Sequence, residues 1–289
     1  MNFTIFNYSS PDKFQPLYLH ETLRNTDGCN SYVFSDTAKI YDVYDNYQPD
    51  YSIVSATRTN YEHLMHYNTN SKKRVKHIIN LDGIPEEHIE PLRGFLKKTE
   101  ELEVVLTFST EDKFKKANLP CPFVKVMSCA DIYLPTSHKY FDISKVVVVS
   151  KQSDNKEYEG DYHTFNIVNQ DKIADTNGNN MFLSKICPNY SEVIFRNINS
   201  SNIPEAFFTS LYLGKHTYFD NDDENQAQEL QSSLENILDK DTVFDYNKKG
   251  NYNLDKVRDK VNKKHTPINR MKTILSQLKD TYEIINNME

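Results

Sequence analysis

Asp82 stands in Leu81-Asp82-Gly83-Ile84-Pro85, directly after the apolar run Val75 to Asn80. A carboxylate at such a strand end can take a proton from a hydroxyl if it borders a cleft. The same spacing also suits a turn residue that bonds nearby backbone N–H groups. A second candidate is Arg196-Asn197-Ile198-Asn199-Ser200-Ser201-Asn202-Ile203-Pro204-Glu205, polar residues between the strand-like Glu192–Phe195 and a helix-like run. Free N–H groups and the positive dipole end of that helix can hold an anion without a glycine motif. Arg196 can add a charge-assisted bond to a diphosphate, Asn197, Ser200 and Ser201 can donate to it, and Glu205 can accept from ribose hydroxyls. The plainer reading is a capped helix with Glu205 complementing its dipole. Ser150-Lys151, after four consecutive valines, offer a hydroxyl and an ammonium at another strand end. Arg58, in the loop after the strand ending at Ala56, is the acceptor-side candidate. Asp220-Asn221-Asp222 has D-x-D spacing, which can chelate a divalent cation on a diphosphate but is also an ordinary solvated acidic loop.

Other chemistries are argued against. Seven glycines in 289 residues leave no G-x-G-x-x-G and no Walker A loop, against dinucleotide dehydrogenases and P-loop kinases. There is no H-E-x-x-H zinc pattern and no G-x-S-x-G elbow. The four cysteines, at 29, 121, 129 and 187, lack zinc-ligand spacing and read as free thiols. No metal ligand set is expected. The net charge of −7 lacks the basic excess of a nucleic-acid binder. Its local exception is Lys72-Lys73-Arg74-Val75-Lys76, a solvated turn or a patch for a phosphate-bearing acceptor. Mean hydropathy is −0.70, yet 19 Tyr and 16 Phe point to a folded, aromatic-rich core rather than disorder. No apolar run is long enough for a membrane span, and no secretory signal is visible, so a cytoplasmic protein is expected.

The elements that must position these residues alternate. Strand-like runs at 2–7, 32–34, 51–56, 75–80, 104–108 and 123–127 interleave with helix-like runs at 17–23, 40–47 and 86–98, a βα order that predicts an α/β fold with a parallel sheet. After a break near 135–142 the order resumes. Strands are expected at 143–150, 164–167, 192–195 and 216–219, and helices at 180–186, 204–213 (closed by Gly214) and 226–238, the last with Leu230, Leu234 and Leu238 on one face. Thr266-Pro267 opens a last helix with the stripe Ile268, Met271, Ile274/Leu275, Leu278 and Tyr282. Two Rossmann-like domains are expected, 1–137 and 138–265, followed by a crossover helix over 266–289. In such sheets ligands bind beyond the carboxyl ends of the strands.

This layout resembles nucleotide-sugar glycosyltransferases of the two-Rossmann GT-B architecture. Ile203-Pro204-Glu205 through Asp220 is similar to that family's donor-site helix, glycine turn and next strand, and His265-Thr266-Pro267-Ile268-Asn269-Arg270 to the HT-x-x-x-R start of its last helix. Nine positions separate Glu205 from Gly214, more than is usual there, and Thr209 occupies the expected place of the Glu. Gln48-Pro49-Asp50 before an apolar strand is a weaker likeness. Ile78 to Pro85 resembles the loop that carries the catalytic Asp in phage DNA β-glucosyltransferases, which implies Asp82 as the base. The absence of Trp and the richness in Asn, Lys, Tyr and Ile suggest a virus or another AT-rich genome, and then the host cytoplasm.

The resemblance implies transfer of a sugar from a nucleotide sugar, UDP-glucose or similar, to an acceptor hydroxyl. The acceptor would be a modified DNA base or a hydroxyl of a glycan or protein; no further cofactor is required, and a divalent metal stays open. Two other classes remain: a non-catalytic GT-B-like binding module, and a metal-dependent transferase using Asp220 and Asp222.

Overall fold

The computed structural model describes residues 1–7, 16–35, 39–55, 74–81, 84, 86–98, 104–108, 119–126, 129–130, 132, 146–150, 156–167, 172–174, 180–182, 190–200, 203–238, 240, 242–250 and 252–288. The fold is mixed α/β. The chain divides into two compact units, Met1–Met127 with Pro267–Glu289, and Ser128–Thr266.

The first unit is built on β1 (Asn2–Asn7), β2 (Asn30–Ser35), β3 (Tyr51–Ser55), β4 (Lys76–Asn80), β5 (Val104–Phe108) and β6 (Phe123–Lys125). Their spatial order is β2-β1-β3-β4-β5-β6, every pair parallel. A parallel sheet needs cover on both faces, and the side-chain alternation supplies it. Phe6, Val54, Ile79 and Leu106 pack on α2 (Ile40–Tyr47) and α3 (Ile89–Lys98) through Val43, Tyr44, Leu92 and Phe95. Phe3, Ile5, Ile53, Ile78 and Val105 face the opposite way. They meet Leu19 and Leu23 of α1 (Pro16–Arg24) and the end of the chain, where Met271, Ile274, Leu275, Leu278 and Ile284 are buried.

The closing segment departs from the expected continuous stripe. Its first helix, Pro267–Leu275, stops, the chain turns through Asp280 at φ +58°, and a new short helix runs Tyr282–Asn287. The turn resets the helical phase, so Tyr282 is 77% exposed rather than buried. Thr281 Oγ1 fixes the turn by donating to the carbonyls of Leu275 and Leu278. Lys76 Nζ donates to the Lys279 carbonyl at 2.8 Å and lies over the Tyr51 ring. That end of the basic run is therefore a tether for the closing segment; Lys72 and Lys73 lie outside the described residues.

The second unit holds β7 (Val146–Ser150), β8 (Tyr162–Ile167), β9 (Lys172–Ala174), β10 (Asn180–Phe182), β11 (Glu192–Arg196) and β12 (His216–Asp220), in the order β10-β9-β8-β7-β11-β12. β8, β7, β11 and β12 are parallel, whereas β9 and β10 are antiparallel to their neighbours. The helix expected over 180–186 is thus corrected: Asn180–Phe182 pairs as a strand with β9. The signal was Asn177-Gly178, a hairpin dipeptide between two short runs; the connection itself lies outside the described residues. Phe195 and Phe219 project to the face opposite Ile194 and Arg196 and pack on Phe207 of α4 (Glu205–Tyr212), and Phe244 packs on Phe207 and Phe219. Gly214, at φ +73°, closes α4, with its N–H on the Leu211 carbonyl. α5 (Glu224–Ile237) is capped by Asp223, whose side chain accepts from the N–H groups of Asn225 and Gln226, and buries Leu230 and Leu234, with Leu238 buried just beyond its end. α6 (Leu254–Lys264) ends at His265, whose ring stacks on Phe208. Among the described residues no helix is long and apolar enough to cross a membrane.

Candidate functional site

From β7 the second sheet grows in two directions, β8 to β10 on one side and β11 and β12 on the other. Connections that part in this way leave a crevice at the carboxyl ends of the strands between them. Across that end runs one register row: Asn166 of β8 opposite Ser150 of β7, Ser150 opposite Arg196 of β11, and Arg196 opposite Asp220 of β12.

Arg196 and Asp220 are buried, each with a side chain 4% exposed. Arg196 Nη1 donates to Asp220 Oδ2 at 3.0 Å, and Nη2 donates to both oxygens of Asp222, at 3.0 and 2.8 Å. Asp220 takes two further donors, Lys156 Nζ on Oδ1 at 2.7 Å and the Tyr158 hydroxyl on Oδ2. Two cations and two carboxylates therefore balance. Removing either partner from a buried pair of this kind leaves a stranded charge. Burial pushes the Asp220 carboxyl up, but the bonds from Lys156 and Tyr158 and the charges of Lys156 and Arg196 outweigh it, so its pKa lies below the ordinary value. Burial, then the bond to and charge of Asp220, pushes the Tyr158 phenol well up, so it stays a donor.

The loops after β11 and β12 are fastened together. Asn221 accepts from the Ile198 N–H at 3.1 Å and donates to the Ile198 carbonyl at 2.9 Å. Asn197 Oδ1 accepts from the Asp222 N–H at 3.1 Å, and its Nδ2 donates to Asp222 Oδ2 at 3.2 Å. Asn197 holds φ at +52°, a left-handed conformation that Asn tolerates better than most residues. Beside this cluster lies a cleft of about 650 Å³ between α5 and residues 243–248. Lys156, Asp220 and Asp222 line it, with Glu224, Asp245 and Lys248 among its other charged residues, and Phe219, Leu230 and Phe244 contribute apolar lining.

No protein-family model matches the chain, and no curated protein matches it. Among solved structures it is similar to the crystal structure of the glycotransferase of kitacinnamycin (TM-score 0.40, 9% identity, 99% of this chain and 96% of that one). It is also similar to the spinosyn forosaminyltransferase SpnP (TM-score 0.40, 10% identity, 93% of this chain and 92% of that one). At this level the likeness assigns neither a family nor an activity.

The structure brings together Arg196, Asn197 and the D-x-D carboxylates, but in an unexpected relation. Asp220 and Asp222 both accept from Arg196, so the carboxylates that could chelate a metal are engaged by a guanidinium, and Arg196 is turned to them. Among the described residues no group of three His, Cys, Asp or Glu could hold a metal ion. Ser200, at the far end of the β11 loop, donates to Glu229 of α5 at 2.9 Å. Ser150 ends β7 in register with Arg196, and Glu205 begins α4; their side chains lie outside what the structure describes. Arg58, Asp82, Lys151 and Ser201 lie outside the described residues. On either side of Asp82, Leu81 and Ile84 are buried and joined by a backbone bond of 3.1 Å.

Lys156 and Tyr158 are the residues the sequence reading missed. Both sit in the charge-rich stretch Lys151 to Asp161, which carries no apolar period to mark it. The available signal was a tyrosine among charges, an apolar ring that has to be buried somewhere. It packs edge-on against Tyr162 and Tyr246.

Proposed function

We propose that the chain transfers a sugar from a nucleotide sugar, UDP-linked by preference, to an acceptor hydroxyl. The observation that carries the reading is the register row Ser150–Arg196 at the point where the strands of the second unit part, with α4 following the β11 loop. A buried guanidinium and a helix N-terminus close in sequence are what a diphosphate requires. The resemblance of residues 203–220 and 265–271 to the donor helix and last helix of GT-B enzymes adds the sugar, and the two-Rossmann architecture, with the broken helical segment over 266–289 in the place of the crossover helix, belongs to the same proposal.

In this reading Asp82 takes the acceptor proton, Arg58 contacts the acceptor, and Ser150, Lys151, Arg196, Asn197, Ser200, Ser201 and Glu205 hold the donor. Helix N–H groups and cations stabilise the charge on the departing diphosphate, so no metal is required. The charge of −7 favours a glycan or protein hydroxyl over a modified DNA base, because phosphate backbones call for clustered cations; a salt-sensitive gel shift with duplex DNA separates the two.

Isothermal titration with UDP and UDP-glucose is the test. Heat with either supports the reading, and no heat with any nucleotide sugar removes it. Asp82→Asn should abolish transfer and spare donor binding. A second reading, a binding module without turnover, is favoured by the long Glu205–Gly214 spacing; donor binding with no product across an acceptor panel would select it. Because Arg196 engages both D-x-D carboxylates, activity should be insensitive to EDTA.

A further inference from the structure

We infer that the Asp222 carboxylate is the resident occupant of an oxyanion site on Arg196 and Asn197, and that a diphosphate group displaces it. The nature of the anion rests on the nucleotide-sugar reading; the site itself does not.

The two carboxylates on Arg196 differ. Asp220 is buried and receives donors from Arg196, Lys156 and Tyr158, so it belongs to the core of the cluster. Asp222 has a side chain 61% exposed, while the guanidinium it covers is 4% exposed. Donors converge on the Asp222 carboxylate as they would on a ligand. Arg196 Nη2 meets Oδ1 at 3.0 Å and Oδ2 at 2.8 Å, and Asn197 Nδ2 meets Oδ2 at 3.2 Å. A phosphoryl group presents the same pair of oxygens to the same donors. An exposed ion pair contributes little by itself, but without an anion on this face Lys156 and the buried Arg196 share the single carboxylate of Asp220. Asp222 is therefore exchangeable for another oxyanion, which restores the balance of two cations and two anions.

The backbone is set up for this exchange. The Asp222 N–H stays on Asn197 Oδ1, and Asn221 stays on Ile198, so only the carboxylate has to rotate. Asp222 and Lys156 line the cleft beside α5 and Arg196 does not, which is the arrangement expected if Asp222 screens the guanidinium from the cleft. The exchange breaks and forms no covalent bond. It makes affinity for an anion the difference between two occupants of one site.

The experiment titrates inorganic pyrophosphate, and separately UDP, into the full chain and into Asp222→Asn, Asp222→Ala and Glu224→Gln. Glu224 lines the same cleft and makes no contact with Arg196, so its variant removes one charge from the rim without opening the site. Loss of the competing charge-assisted bonds should tighten pyrophosphate by about tenfold or more in both Asp222 variants. Glu224→Gln should change it by less than about threefold. Melting temperatures give a second readout: both Asp222 variants should melt below the parent without ligand and recover that gap in pyrophosphate. Should Asp222→Ala fail to melt cooperatively, the isosteric Asp222→Asn carries the test. Equal tightening by Glu224→Gln, unchanged or weaker binding in the Asp222 variants, or no pyrophosphate binding by any form overturns the proposal. Tightened pyrophosphate with no UDP binding keeps the oxyanion site and removes the nucleotide-sugar reading.

Discussion

Each unit buries a row of polar side chains across neighbouring strands, and the two rows are built on opposite principles. In the first unit Thr4 of β1 lies opposite Ser52 of β3, and Ser52 opposite His77 of β4. All three are 0% exposed, and among the described residues Thr4 Oγ1 and Ser52 Oγ find no hydrogen-bond partner. In the second unit Arg196 and Asp220 are equally hidden, but every formal charge has a counter-charge and Asp220 is met by three donors. The first row is neutral and lies inside the strands. The second is charged and lies at their carboxyl ends, where an α/β sheet meets its ligands. A neutral polar atom can be buried unpaired at a cost of about 1–3 kcal/mol; a charge cannot, so its partners are fixed along with it. The expectation is that the second row resists every single change, and that the first can be simplified without harm.

Arg196→Met should show the largest effect. It takes from the buried Asp220 one of its two cations, Lys156 remaining, and leaves the exposed Asp222 to solvent, and should cost about 3 kcal/mol, the low end for a broken buried pair, read as a lowered urea midpoint at pH 7 with an unchanged slope. A loss below about 1 kcal/mol would mean that the cluster is as dispensable as the first row, and the contrast would be gone.

Acid should separate the rows by pH window. Burial lowers the His77 imidazole from 6.5 to about 4, with its Nε2 on the Tyr44 hydroxyl at 3.1 Å. Between those values the unfolded chain takes up a proton that the folded chain refuses. Stability from this residue is therefore complete above 6.5 and declines as pH falls toward 4, by about 3 kcal/mol in all. Asp220 works lower. Its carboxyl is depressed below 3.8 in the fold, so its contribution is complete above 3.8 and is lost only as pH falls through the folded value. Urea midpoints followed from pH 7 down to pH 3 should show both losses. His77→Gln should flatten the upper part of that profile and leave the lower part; a profile unchanged in that variant would show that His77 does not carry the acid sensitivity.

Legibility in the sequence followed the same divide between periodic and non-local signals. The strands β3, β4, β5, β7 and β11 and the helices α2 and α5 could be read because an apolar run or an i, i+4 stripe marks each within its own few residues. The strand Asn180–Phe182 was misread, because three residues carry no period and the deciding Asn177-Gly178 sits beside them rather than in them. Tyr282 was misplaced because the stripe was extended through a turn that resets its phase. Within the candidate site, Arg196 was legible as a cation at a strand end. Its partners were not, since the bonds from Lys156 and Tyr158 to Asp220 span 64 and 62 positions, and pairing at that separation is decided by topology. D-x-D stood between a metal motif and a solvated acidic loop, because the motif records the two carboxylates and nothing of the guanidinium that sheet register sets opposite them.

The smallest effect sharpens the comparison from the other side. Thr4→Val keeps side-chain volume and shape, and Ser52→Ala removes one oxygen. In a row whose hydroxyls were paired, either change would cost about 1 kcal/mol for the lost bond. Among the described residues neither hydroxyl has a bond to lose, and the unfolded chain alone benefits from hydrating it. Both variants should therefore fold with a urea midpoint equal to or above the parent's, within about 1 kcal/mol. The pair together should be additive only if the two oxygens are independent, since register neighbours in contact couple. Destabilisation by more than that, in either variant, would mean that an ordered water joins Thr4, Ser52 and His77. The first row would then be a satisfied network like the Arg196–Asp220 cluster, and the contrast between them would be one of charge alone.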